Sequence, residues 1–287
     1  MKLILALMLI SSTCFGANSK NWKPKYEERK LQELKKKVKP LSVYKNKQSI
    51  NNRDKVSKKS KYKPSNALEA LYLKKSKKKS YLGKLKSGTL KLKQKAVPTL
   101  IKVMKSNSFP DENKWVATYM LGKIMGVKSA DFISKFTKHP SWMMRLASLK
   151  VLLHLQQKQY KGIYARALED KSLIVRHQAL QNISELKLNA LAPYVWKMLY
   201  NKKNYVGVKG KRKRSNIIKS AIKIVGDLGL KDAKKPMLKM IQRAKYKDVH
   251  AELDYSLSKL YKKSSPKGSI SLKKNYWNKM AMKEIKI

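Results

Sequence analysis

An apolar spacing that returns five times in the second half of the chain constrains its fold more than any other feature. From an anchor residue, apolar or small residues follow at four, eight and eleven positions. The sets are Val116/Met120/Ile124/Val127, Met144/Ser148/Leu152/Leu155, Val175/Ala179/Ile183/Leu186, Ile217/Ala221/Val225/Leu228 and Val249/Leu253/Leu257/Leu260. Steps of four, four and three residues trace one face of an α-helix. Successive anchors are 28, 31, 42 and 32 residues apart. A helical stripe with such a period predicts a solenoid, because each unit has an apolar face that only its neighbours can cover. Solenoids act chiefly as long binding surfaces.

A second helical pattern precedes each stripe: Ala96 to Met104, Ala130 to Phe136, Tyr160 to Leu168, Leu191 to Leu199 and Ala233 to Ile241. Pro98, Pro193 and Pro236 fall early in these segments, where a missing N–H costs little. Polar breaks such as Phe109-Pro110-Asp111, His139-Pro140-Ser141, Asp170-Lys171-Ser172 and Tyr246-Lys247-Asp248 separate the two helices of a pair. Asp111, Ser141 and Asp248 are N-cap candidates. The expected unit is helix–turn–helix, and no segment reads as a β-strand.

The stretch from Ala167 to Leu180 resembles a HEAT repeat, of the HEAT-like type seen in bacterial scaffolds and phycobilisome lyase subunits. Asp170 in the turn, then Val175, Arg176 and Ala179 opening the second helix, match that family's signature. Met144-Arg145 repeats the apolar–Arg pair, and Val249-His250 repeats it with His in place of Arg. The resemblance covers residues 92–263. It implies an all-α, right-handed α-solenoid of about five HEAT-like helix pairs. It further implies that Arg145 and Arg176 pair with turn acids along the stack, with ligand contact as their alternative role. It does not by itself name an activity.

The first 17 residues read as a secretory signal peptide: Lys2, an apolar run from Leu3 to Ile10, then small residues to Ala17. The apolar run is too short to span a bilayer. Cys14 is the only cysteine, and Ser11 and Thr13 before it are poor matches to a lipoprotein signal. Cleavage would leave a chain without thiols or disulfides, suited to a bacterial periplasm or the external medium. Residues 18–63 are rich in Lys, Ser and Asn, the composition of a disordered segment. In 64–91, Asn66 to Leu73 reads as a capping helix followed by a basic linker. Residues 264–287 read as a basic tail whose Tyr276-Trp277 tucks back onto the last repeat.

The 69 Lys and Arg against 17 Asp and Glu give a formal net charge of +52. Such a chain repels itself and attracts anions. The long 42-residue step marks an insertion between the helices of the fourth pair, Asn201 to Arg214, in which seven of fourteen residues are basic and none acidic. Lys202, Lys203, Lys209, Lys211, Arg212, Lys213 and Arg214 are therefore the candidate anion-binding residues. Gly207 and Gly210 suggest a flexible loop, and the arginines suit bidentate contact with phosphate, sulfate or carboxylate. Trp115, Trp142 and Trp196 are expected to pack between helices.

The four histidines and the acids show no metal-ligand spacing, and no Gly-rich phosphate loop, Gly-x-Ser-x-Gly or nucleophile–base pair occurs. The expected function is a non-catalytic, exported scaffold without a cofactor. Its partner would be an acidic protein or an anionic polymer: an envelope glycan, lipopolysaccharide or nucleic acid. The alternative is a DNA-binding enzyme of the alkylated-base glycosylase type, which some HEAT-like proteins are. An export signal argues against it.

Overall fold

The computed structural model of the chain describes residues 62–76, 79–208, 211–214 and 216–285. The readings for residues 1–61 lie outside them. The described residues are helical except for one short ribbon. The five expected pairs are α3 (Val97–Lys105) with α4 (Asp111–Met125), α5 (Ala130–Lys135) with α6 (Trp142–His154), α7 (Lys161–Ala167) with α8 (Leu173–Glu185), α9 (Ala192–Lys197) with α10 (Asn216–Asp227), and α11 (Lys234–Gln242) with α12 (His250–Tyr261). Pro98 and Pro193 occupy the first turns of α3 and α9. In every stripe the anchor and the residues four and eight further on are buried or half-buried. Val127, the last member of the first stripe, is 61% exposed, because α4 ends at Met125 and Gly126 turns the chain away.

Each second helix ends on a residue of positive φ. Gly126, Gln156, Lys187, Gly229 and Lys262, just past α4, α6, α8, α10 and α12, all have positive φ between 52 and 69°. Beyond four of these turns a backbone N–H reaches back to a carbonyl five residues earlier: Gln157 to Leu152 at 3.0 Å, Leu188 to Ile183 at 3.0 Å, Leu230 to Val225 at 3.3 Å and Lys263 to Ser258 at 3.2 Å. This left-handed C-terminal turn ties off the last carbonyls and reverses the chain toward the next pair. At Gly126 and Gly229 the conformation is free of the Cβ penalty that Gln156, Lys187 and Lys262 carry.

The same mark reveals one pair more than the stripes predict. The expected linker is helical: α1 (Ala67–Leu73) is followed by α2 (Lys79–Leu92), and Lys93 after it has φ 46°. Along α2, Tyr81, Leu85 and Thr89 are buried at the stripe spacing, and Leu92 is exposed as Val127 is. Tyr81 lies 35 residues before Val116. The buried Thr89 satisfies its hydroxyl on Leu85 O and Tyr72 Oη, so a polar residue fits a core position. Asn66 caps α1 as the side-chain acceptor for Glu69 N–H.

Successive second helices pack on one another: α2 on α4, α4 on α6, α6 on α8, α8 on α10 and α10 on α12. Two hydrogen bonds recur in register. Asn182, seven residues past its anchor, donates to Leu149 O at 2.8 Å, and Ser256, seven past its own, donates to Ile222 O at 2.8 Å. Both acceptors lie five residues past the preceding anchor. The approach is close enough that a Cβ on Gly226 would sit 2.6 Å from Ser256 Cα. Helix α6 serves two cores at once. Its Met144 and Val151 belong to the core of the first pairs, and its Leu149 and Leu152 to the core of the later ones.

The basic tail is also a helix in its described part, α13 (Ile270–Ile285). It packs against α11. Trp277 is fully buried, and its Nε1–H donates to Asp254 Oδ1 at 2.7 Å while Lys273 pairs with Oδ2 at 2.8 Å. The expected return of Trp277 onto the last repeat therefore occurs through a helix.

Two substitutions test this packing in opposite directions. Gly226→Ala is expected to lower stability by about 1–3 kcal/mol, since Ser256 backbone blocks the methyl group. Lys187→Gly is expected to raise stability by about 1 kcal/mol by removing the left-handed penalty. Urea titrations of the full chain measure both; equal stability for Gly226→Ala would show that α10 and α12 can separate at no cost.

Candidate anion-binding site

The turns between paired helices carry the charged residues singled out by the sequence. Arg145 and Arg176 follow the anchors of α6 and α8 directly, and both are buried. Arg145 donates through Nη1 to His139 O (2.9 Å) and Pro140 O (2.8 Å) of its own turn, and through Nε and Nη2 to both oxygens of Asp170 (2.7 and 2.8 Å) in the next. Arg176 repeats the pattern. Nη1 reaches Asp170 O (2.7 Å) and Lys171 O (3.2 Å), while Nε and Nη2 reach Asn204 Oδ1 (2.8 Å) and Lys203 O (2.9 Å). Asn204 thus stands where the previous turn has Asp170. These guanidiniums are consumed in joining turns, and their donors point into the protein.

The ladder stops at α10, where Ile218 follows the anchor, and in α12 the position is occupied by His250. Both ring nitrogens of His250 are buried without a hydrogen-bond partner among the described residues. Burial, with Lys274 nearby, pushes its pKa below the usual histidine value. Asp170 experiences opposite influences. Burial raises its carboxyl, but the Arg145 guanidinium and the Ser172 N–H (2.8 Å) outweigh it and hold the pKa below the ordinary range.

The insertion differs from the flexible loop expected. Lys202–Asn204 form a 3-10 turn, Tyr205–Val208 form β1 and Lys211–Arg214 form β2. The strands pair antiparallel, Tyr205 opposite Arg214, Val206 opposite Lys213, Gly207 opposite Arg212 and Val208 opposite Lys211. The sequence reading missed this ribbon because alternation lasts only four residues on each side and glycine interrupts it. Lys209 lies outside the described residues. Lys202 and Lys203 are exposed, and the ribbon's base is held by Arg176 through Lys203 O and Asn204. Beside that base, Tyr194, Lys197, Tyr200, Asn201 and Lys203 line a pocket of ≈ 350 Å³ with Glu169, which pairs with Lys197 at 2.8 Å.

Two smaller expectations are corrected here. Trp142 is 43% exposed rather than packed between helices, whereas Trp196 is buried and Trp115 half-buried. Of the cap candidates, Ser141 alone takes the cap position, without a side-chain bond. Asp111 is the first residue of α4, where its charge still suits the helix dipole. Asp248 lies in the 3-10 turn Ala244–Val249.

Among the described residues no group of His, Cys, Asp and Glu is arranged to hold a metal ion, and no helix is long and apolar enough to cross a membrane. No protein-family model matches the chain, and no curated protein matches it.

Asp170→Asn is expected to cost about 3 kcal/mol near neutral pH, because Arg145 would keep a buried charge without its counter-ion. The depressed pKa fixes the pH dependence. The contribution is complete above the ordinary carboxylate value of about 4 and is lost as pH falls through the lowered one. Parent and variant stabilities should therefore converge in acid. A stability–pH profile in which the gap stays constant would place the Asp170 carboxylate outside the stabilising interaction.

Proposed function

We propose that the chain is a non-catalytic, exported scaffold, a right-handed α-solenoid of HEAT-like pairs whose basic surface binds an anionic partner. One observation carries this reading: among the described residues the most buried acids, Glu69, Asp170 and Asp254, are paired within the fold, while cations outnumber acids and nearly all of them reach water. Glu69 accepts from Tyr62, Ser65 N–H and Lys102. Burial would raise its carboxyl, yet these bonds hold it at about 2. Asp170 and Asp254 are paired as described, Asp131 accepts from Tyr160, and Asp227 from Tyr255. Among the described basic side chains only Lys114, Arg145 and Arg176 are buried. The other described Lys and Arg are at least partly exposed and outnumber the described acids, which favours association with negative surfaces.

The basic ribbon and its flanks, Lys202 to Arg214, lie between α9 and α10 and are the strongest candidate for the contact. A compact hairpin holds its backbone more firmly than a loose loop, so less ordering entropy is lost on binding. Export to the periplasm or the external medium would place envelope glycans, lipopolysaccharide, extracellular nucleic acid and acidic proteins within reach.

The expected behaviour is binding to heparin or duplex DNA that weakens steeply with salt, each neutralised DNA phosphate adding about −0.9 to the slope of log affinity against log salt. Neutralising Lys209, Lys211, Arg212, Lys213 and Arg214 together should lower affinity and flatten that slope, with helix content unchanged. A salt titration of parent and variant checks this. Parent protein that fails to bind at low salt would defeat the reading.

A further inference from the structure

A second feature lies along the same row of turns, in the three that precede the ribbon. The turns of the pairs α3–α4, α5–α6 and α7–α8 border an open groove of ≈ 980 Å³, whose lining includes Phe109, Asp111, Lys114, His139, Trp142 and Lys171. Lys114 is unusual there. Its side chain is 4% exposed, and its one ion pair among the described residues is to Asp111 at 3.5 Å. An ammonium with three donors gains little from one long pair, so it keeps capacity for a further anionic oxygen. His139 accepts Ser141 N–H at Nδ1, which leaves Nε2 as the donor of the neutral ring.

The apolar part of the groove edge follows the repeat. Trp142 and Met143 precede the α6 anchor by two and one residues, and Leu173 and Ile174 precede the α8 anchor likewise. Trp142 and Leu173 are each 43% exposed and Ile174 is 52%. Leu173 and Ile174 directly follow Lys171 and Ser172 of the groove. Large apolar side chains at matching positions of neighbouring turns make a patch of the kind that marks a binding surface.

Together these features point to a ligand with two properties. The geometry points to a docking site for an acidic peptide segment that carries a large apolar side chain, seated over Trp142 with its carboxylates toward Lys114 and Lys171. An aromatic ring beside cations alone would equally suit a nucleobase. A sugar ring can lay a C–H face on Trp142, but the adjoining aliphatic Leu173 and Ile174 are covered best by a large apolar side chain, and the heparin arm of the test below separates the two. The inference rests on the proposed anion-binding role and narrows it to an acidic protein partner.

The test uses the full chain with three probes: a ten-residue Asp/Glu peptide with a central Phe, the same peptide with Ser in its place, and heparin. The Phe peptide should bind at least tenfold more tightly than the Ser peptide. Trp142→Ala, at an exposed position, should erase that preference and leave heparin binding unchanged. Lys114→Met, which keeps the buried stem, should weaken both peptides. The neutralised ribbon should lose heparin affinity yet keep the preference for Phe. Peptides that bind alike, a preference that survives Trp142→Ala, or heparin binding that falls with Trp142→Ala would each overturn the proposal. Loss of heparin binding in the parent would instead strike the broader anion-binding reading.

Discussion

The bidentate bond between Arg145 and Asp170, repeated as Arg176 with Asn204, is the interaction on which the turn edge depends. Each guanidinium binds two carbonyls of its own turn and a side chain of the next, so one residue sets the conformation of a turn and its distance from its neighbour. A charge removed from water needs every donor satisfied, and these turns supply the acceptors. The groove wall at His139 and Pro140 and the base of the ribbon at Lys203 and Asn204 are thus held by the same chemistry. Surface features far apart in sequence acquire a fixed spacing from it.

The sequence exposes this architecture unevenly. Apolar stripes are legible because burial demands apolar side chains at helical spacing, and the α3 to α12 pairs appear where the pattern puts them. The α1–α2 pair is illegible because Tyr81 and Thr89 fill its stripe, and the Thr89 hydroxyl finds its partners only once Tyr72 and Leu85 are in place. The helix ends are half-legible. Gly126 and Gly229 signal a residue of positive φ, but Gln156, Lys187 and Lys262 also take positive φ with side chains that give no hint of it. The ribbon escapes notice because its strands are short, basic and broken by glycine. At the site, Arg145 and Arg176 announce themselves through their apolar neighbours. Lys114 does not, since nothing local distinguishes a buried lysine from its many exposed counterparts.

The few buried charges have assigned tasks. Carboxylates such as Glu69, Asp170 and Asp254 are structural, held by hydrogen bonds or cations inside the fold. Lysines are largely peripheral and are free to respond to whatever anion approaches. An excess of one sign on the outside destabilises the compact state by self-repulsion, and a counter-charged partner relieves it.

The buried Trp277 has a consequence for assembly. A row of stacked units leaves an apolar surface on its last member, and that surface invites another row to continue it. Helix α13 lies there, with its indole hydrogen-bonded to Asp254 and tilted against Tyr261. The part of that surface around Asp254 and Tyr261 is therefore already occupied, and another copy could reach it only by displacing Trp277.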